Sequence, residues 1–194
     1  QPCGQQEAAD ASESANRLGI PFHLFDWQRE FREQVIKPFE QVYMDGGTPN
    51  PCIFCNKALK FGKFLEEALA LGYDGVATGH YARVRQENGR YLLYTAKDRA
   101  KDQTYMLHRL PKDILSILTL PLADEIKTEV REKARAGGLT EAADKKESQE
   151  ICFVPNNDYR SFLAEQGILA TPGEYIDKYG KVLGMHQGYC HYTI

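Results

Sequence analysis

Twice in the first 80 residues a helical stripe of apolar side chains ends at a glycine and is followed by a short apolar run, a pattern expected of a sheet covered by helices. In the first instance Ala8, Ala11, Ala15 and Leu18 recur at helical spacing, Gly19 closes the stripe, and Ile20-Pro21-Phe22-His23-Leu24-Phe25 reads as a buried strand. In the second, Phe61, Phe64, Leu65, Ala68 and Leu69 form the stripe, Gly72 ends it, and the strand lies around Gly75-Val76-Ala77-Thr78. Between them Phe31, Val35, Ile36, Phe39, Val42 and Tyr43 make another amphipathic helix, interrupted or bent at Pro38 because proline lacks the N–H that a helix interior needs. The order helix, strand, helix, helix, strand is that of an α/β protein with a parallel sheet.

From Tyr81 to Ala96 the texture changes to a hairpin, with Asn88-Gly89 as a two-residue turn between Val84 and Tyr91-Leu92-Leu93-Tyr94. Helices are expected at about Lys112 to Leu118 and from Asp124, as cap, to Ala136, where Gly137-Gly138 stops the second. The polar stretch Glu141 to Glu150 is expected to be mobile, a helix to run from about Asp158 to Glu165, and the Gly- and Tyr-rich sequence from Glu174 onward to be β. A domain boundary is expected near Leu169 to Gly173, and both ends of the chain read as cut from something longer.

Composition excludes several classes. The apolar runs are far too short to cross a bilayer, nothing resembles an export signal, and five cysteines, unevenly spread, lack the density of a disulfide-stapled secreted domain. A cytoplasmic protein without a membrane partner is expected, its cysteines serving as ligands, nucleophiles or core. A net charge of -3 argues weakly against nucleic acid, although Lys57, Lys60 and Lys63, or Lys97, Arg99 and Lys101, supply local positive charge.

Four stretches could carry chemistry. Thr48-Pro49-Asn50-Pro51-Cys52-Ile53-Phe54-Cys55-Asn56-Lys57 holds a C-x-x-C on a proline-rich loop before a helix, where free N–H groups and the helix dipole favour a thiolate at Cys55. The same pattern is also half of a zinc site, for which His186 and Cys190 are the best remaining ligands. Ala77-Thr78-Gly79-His80-Tyr81-Ala82 follows a strand, where ligands gather on open α/β sheets; taken alone, Gly79 reads more readily as a turn glycine and His80 as a surface histidine. Lys101-Asp102-Gln103 reads by itself as a solvated loop, and Cys152, between Ile151 and Phe153, as a cysteine more often core than catalyst.

Taken together, the stretches from Thr48 to Phe61, Ala77 to Arg83, Lys101 to Tyr105 and Ser148 to Phe153 resemble, in order and spacing, the tRNA 2-thiouridylases. The resemblance runs over essentially the whole chain. It implies an N-type ATP pyrophosphatase fold (adenine nucleotide alpha hydrolase-like) over residues 1–110, a helical extension carrying the second cysteine over 111–170, and the start of a small central β domain over 171–194. It implies that ATP, with Mg, activates the C2 oxygen of the wobble uridine of tRNA by adenylation, and that a protein persulfide delivers sulfur to C2. By motif, Cys152 corresponds to the persulfide cysteine and Cys55 to its partner nucleophile, the pair ending as a disulfide after the mixed disulfide with the base is broken. Asn50, Pro51 and Cys52 correspond to contacts with the target base, Gly79 to an ATP contact, and His80, Lys101, Asp102 and Gln103 to tRNA contacts. A sulfur-relay protein or cysteine desulfurase is the implied donor. Three departures from the family stand out: the Ser-Gly-Gly-x-Asp-Ser phosphate loop that should precede residue 1 is absent, the C-terminal β-barrel has barely begun, and Cys52 occupies a position where many members carry aspartate. A non-catalytic RNA- or metal-binding fragment is the other reading, with Cys52, Cys55 and Cys152 as iron–sulfur ligands or C-x-x-C as half of a zinc site.

Overall fold

The structure is a computed structural model and describes residues 5–145 and 151–192. The chain forms two compact units, one made of residues 1–51 and 148–194 and the other of residues 52–147.

In the first unit the helix Gln5–Leu18 ends as expected at Gly19, whose φ of +66° lets its own N–H reach the Asn16 carbonyl and that of Ile20 reach Ala15. The strand expected over residues 20–25 does not form. His23, Phe25 and Trp27 stack along an extended chain, with Phe25 and Trp27 centroids 5.0 Å apart, but no described strand pairs with it and Leu24 is 71% exposed. A strand needs a neighbour's N–H and C=O groups, and hydrophobicity alone does not supply one.

Pro38 does not break the next helix. The chain runs through the α-helical segment Gln28–Phe31, the π-helical segment Arg32–Ile36 and the α-helical segment Lys37–Met44. The widened turn comes just where the proline ring would crowd the carbonyl four residues back, so the helix is locally unwound and continues. Its buried face carries Val35, Ile36, Phe39 and Tyr43, and around fully buried Phe39 the unit builds an aromatic core. The Phe39 ring lies edge-on to Phe153 at 5.2 Å and Phe162 at 6.1 Å, Phe31 packs on Phe153 at 5.6 Å, and Tyr43 stacks on Tyr159 at 5.2 Å. Phe162 belongs to the helix Tyr159–Glu165, which Asp158 caps by accepting the Ser161 N–H at 3.1 Å. The β expectation from Glu174 onward appears as an antiparallel pair, Gly173–Ile176 with Val182–His186.

The second unit contains most of a helix that starts at Pro51 and passes through the segments Pro51–Cys55, Asn56–Lys63, which is π-helical, and Phe64–Ala70. It buries Leu59, Phe61, Leu65 and Ala68 and closes at Gly72 in the same way as the first helix at Gly19. Val76–Ala77 then pairs in parallel with Leu118–Thr119. The helix expected over residues 112–118 is therefore shorter, Lys112–Ser116, and its apparent last residue, Leu118, is the buried start of a strand too short to show alternation. At Gly75 a Cβ would stand 2.3 Å from the Ile117 carbonyl oxygen, so only glycine lets these two chains approach.

Ala82–Glu87 and Arg90–Thr95 form the expected hairpin, with Asn88 and Gly89 both at positive φ, as a type I′ turn requires. The helix Lys127–Ala136 begins three residues later than expected, because Asp124 is not its cap. Asp124 instead pairs with Arg83, and Asp98, distant in sequence, accepts the Lys127 N–H at 3.0 Å. Of the stretch expected to be mobile, Thr140–Asp144 is helical, with Ala143 buried and Asp144 paired to Arg135 at 2.6 Å; residues 146–150 lie outside the described residues. The unit is thus α/β, its parallel pair flanked by helices. Among the described residues no helix is long and apolar enough to cross a membrane.

Because Phe153 touches Phe31, Phe39 and Phe162, Phe153→Ala is expected to cost about 3–5 kcal/mol of stability, read as a lower urea midpoint. Ile176→Ala, at a position 62% exposed, should cost less than about 0.5 kcal/mol in the same titration.

Candidate functional site

The parallel strand Val76–Ala77 delivers Thr78, Gly79 and His80 to one wall of an open cleft of about 410 Å³ in the second unit. Lys60 and Phe64, one turn apart on the 51–70 helix, form another wall, and Gln103 completes it. Three residues singled out from the sequence, Gly79, His80 and Gln103, are therefore brought together. Lys60, noted only as local positive charge, and Phe64 and Thr78, noted only as core or strand, are the additions. Their signal was present in the helical spacing of Lys60 and Phe64, but which face of that helix meets the strand end is a matter of tertiary packing.

Gln103 is fixed by a reciprocal pair of hydrogen bonds. Its side-chain Oε1 accepts the Tyr81 N–H at 3.0 Å, and its own N–H donates to the Tyr81 carbonyl at 2.8 Å. The neighbouring Asp102 is half-buried and turned inward: one carboxylate oxygen accepts from the Ala96 N–H at 2.7 Å and the Thr104 hydroxyl at 3.0 Å, the other from the Thr104 N–H at 3.1 Å. That carboxylate holds the loop in shape, and an anion so engaged is poorly suited to approach a phosphate. Lys101, expected beside them, is half-buried and does not line the cleft.

His80 is 7% exposed, which overturns its reading as a surface histidine. It shares a 2.9 Å hydrogen bond with the Thr78 hydroxyl and lies 5.9 Å from the Phe61 ring. Burial, reinforced by the positive charge of Lys60, pushes its pKa down to about 4. The imidazole is consequently neutral at physiological pH, and the cation of this cleft is Lys60. Gly79 is exposed, and a Cβ there would meet nothing closer than Leu122 at 3.8 Å, so the backbone stands open to a ligand.

The cysteines occupy different settings. Cys52 lies in the first turn of the helix that starts at Pro51, so the thiol nearest the helix N-terminus is Cys52, with Cys55 one turn further in; both are half-buried. Asn50 directly precedes Pro51, which is buried and occupies the first helical position that suits proline. Cys152, in the first unit, is exposed although Phe153 and Val154 after it are buried, so it is not the core cysteine its apolar neighbours suggest. Cys190 is buried. Among the described residues no three His, Cys, Asp or Glu side chains gather closely enough to hold a metal ion.

Residues 1–156 match the family model described as the tRNA methyl transferase HUP domain. The chain belongs to this family. Proteins named tRNA-specific 2-thiouridylase MnmA are its close relatives: that of Carboxydothermus hydrogenoformans is 50% identical over 195 residues, covering 99% of this chain and 53% of the relative. Those of Chloroflexus aurantiacus and Clostridium acetobutylicum are 49% and 45% identical, each covering 99% of this chain and 54% of the relative. The chain thus spans about half the length of the curated relatives it matches. The HUP assignment agrees with the N-type ATP pyrophosphatase fold expected from the sequence and with the parallel strand whose end opens onto the cleft.

The depressed His80 pKa has a consequence for stability. Above pH 6.5 the imidazole is neutral in both folded and unfolded chains; between 6.5 and about 4 the unfolded chain takes up a proton that the folded one refuses. Stability should therefore fall as pH drops through that window, and His80→Gln should flatten that part of the dependence in thermal melts recorded from pH 7 to 4.5.

Proposed function

We propose that the protein thiolates C2 of the wobble uridine of tRNA in an ATP-dependent reaction. One observation carries this reading: identity near 50% over 99% of the chain to proteins named tRNA-specific 2-thiouridylase. In the proposed chemistry the uracil C2 oxygen attacks the α-phosphorus of ATP, taken up with Mg, and releases pyrophosphate. The terminal sulfur of a Cys152 persulfide then attacks C2 and displaces AMP, leaving a mixed disulfide between Cys152 and the base. The Cys55 thiolate attacks the Cys152 sulfur, expelling the base as 2-thiouridine and leaving a Cys55–Cys152 disulfide, which cellular thiols reduce.

Several local features support these roles. An exposed Cys152 anchored by buried Phe153 and Val154 suits a residue that must accept sulfur from a second protein, a sulfur-relay protein or cysteine desulfurase, without moving its backbone. In the cleft, Lys60 offers a cation to a phosphate, Phe64 an aromatic face for stacking, Gly79 an open backbone for ATP, and neutral His80 and Gln103 hydrogen bonds to uncharged groups of the tRNA. Asn50, Pro51 and Cys52 are assigned to the target base, which must leave the anticodon stack to react. Lys101 and Asp102 contribute to tRNA binding, Asp102 by holding the loop that presents Gln103. The protein would act in the cytoplasm, where tRNA is modified.

The test is complementation. The intact gene, expressed in bacteria lacking their own 2-thiouridylase, should restore 2-thiouridine to tRNA digests analysed by mass spectrometry. Cys55→Ser and Cys152→Ser should each abolish it while leaving the folded protein at normal abundance. Thiolated tRNA in either variant would overturn the assignment of that cysteine.

A further inference from the structure

Asn56 and His80 are the buried polar residues among the described ones, and only His80 lines the cleft. Asn56 is 2% exposed, follows Cys55 directly, and opens the π-helical segment Asn56–Lys63. Its side-chain amide donates to the Met106 carbonyl at 3.2 Å, while its Oδ1, also buried, meets no donor among the described residues. A buried amide satisfied on one side only is an inefficient way to stabilise a core, because the unpaired oxygen costs about 1–3 kcal/mol of desolvation. Leu59 and Phe61, further along the same helix, and Leu107, next to Met106 in sequence, are buried and apolar.

What the amide supplies is direction. Met106 ends the short turn Thr104–Met106, which directly follows Gln103. A bond from residue 56 to that turn sets the rotation of the helix about its axis, and with roughly 100° between successive residues it sets where Cys55 points. We infer that Asn56 is a positioning residue for the reaction, holding the Cys55 thiol in register with the loop that presents Gln103. This rests on the reading of Cys55 as a nucleophile, and it adds a residue with no reactive group of its own.

The experiment compares Asn56→Leu and Asn56→Met in the intact gene product. Neither has a donor for Met106: both fill the space with an apolar side chain. Two readouts are taken: steady-state tRNA thiolation, and the rate at which iodoacetamide alkylates each cysteine, resolved by peptide mass spectrometry. Asn56→Leu should melt within a few degrees of the parent and keep its KM for tRNA, while kcat falls by about 10- to 100-fold, as a small misplacement of a reacting group predicts. The Cys55 alkylation rate should change in both variants, and that of Cys152 should not. Unchanged kcat and unchanged Cys55 alkylation would overturn the inference, and so would an Asn56→Leu protein that fails to fold, since Asn56 would then serve stability. Thiolation surviving Cys55→Ser would instead sink the nucleophile assignment, while the alkylation data would still report whether Asn56 orients that thiol.

Discussion

The reciprocal hydrogen bonds between Gln103 and Tyr81 tie together the two pieces of chain on which the cleft depends. One piece is the end of the strand Val76–Ala77, whose next residues are Thr78, Gly79 and His80. The other is the loop that follows the hairpin, kept in shape by the inward carboxylate of Asp102. Through that tie, a buried neutral imidazole and a glutamine amide are presented together beside a lysine.

The electrostatics of the cleft follow from burial. A histidine next to a lysine near a strand end could be read as a pair of cations for phosphate, but desolvation and the Lys60 charge both disfavour the imidazolium. The cleft is left with one full charge and several neutral hydrogen-bonding groups. Such an arrangement suits hydrogen bonding to uncharged groups more than simple attraction to a polyanion, which fits a chain whose net charge is -3.

What could be read from the sequence divides along physical lines. Helix ends at Gly19 and Gly72 and the Asn88-Gly89 turn were legible because each is decided by a residue that tolerates positive φ, a local property. The strand expected at residues 20–25 and the hidden one at Leu118–Thr119 were misread for a single reason: pairing is set by a partner far away in sequence. Pro38 announced a disturbance but not its form, since a π turn and a break are equally good answers to a missing N–H. Asp124 looks like a cap and is an ion-pair partner, while the Lys127 N–H is accepted by Asp98, 29 residues earlier in the chain. Of the residues that line the cleft, Gly79, His80 and Gln103 stand out through family resemblance, while Lys60 and Phe64 do not, because their place there depends on which way a helix faces. The exposure of Cys152 was likewise invisible between two apolar neighbours.

Gly75 places a limit on how this family can vary. Any side chain there would collide with the Ile117 carbonyl where the parallel strands meet, so mutation at this codon is purged by backbone geometry. Across homologues such a position would be as invariant as a reacting cysteine. An invariance profile alone would rank it beside the residues of the proposed reaction, and only the 2.3 Å approach of a carbonyl marks its constraint as one of backbone packing.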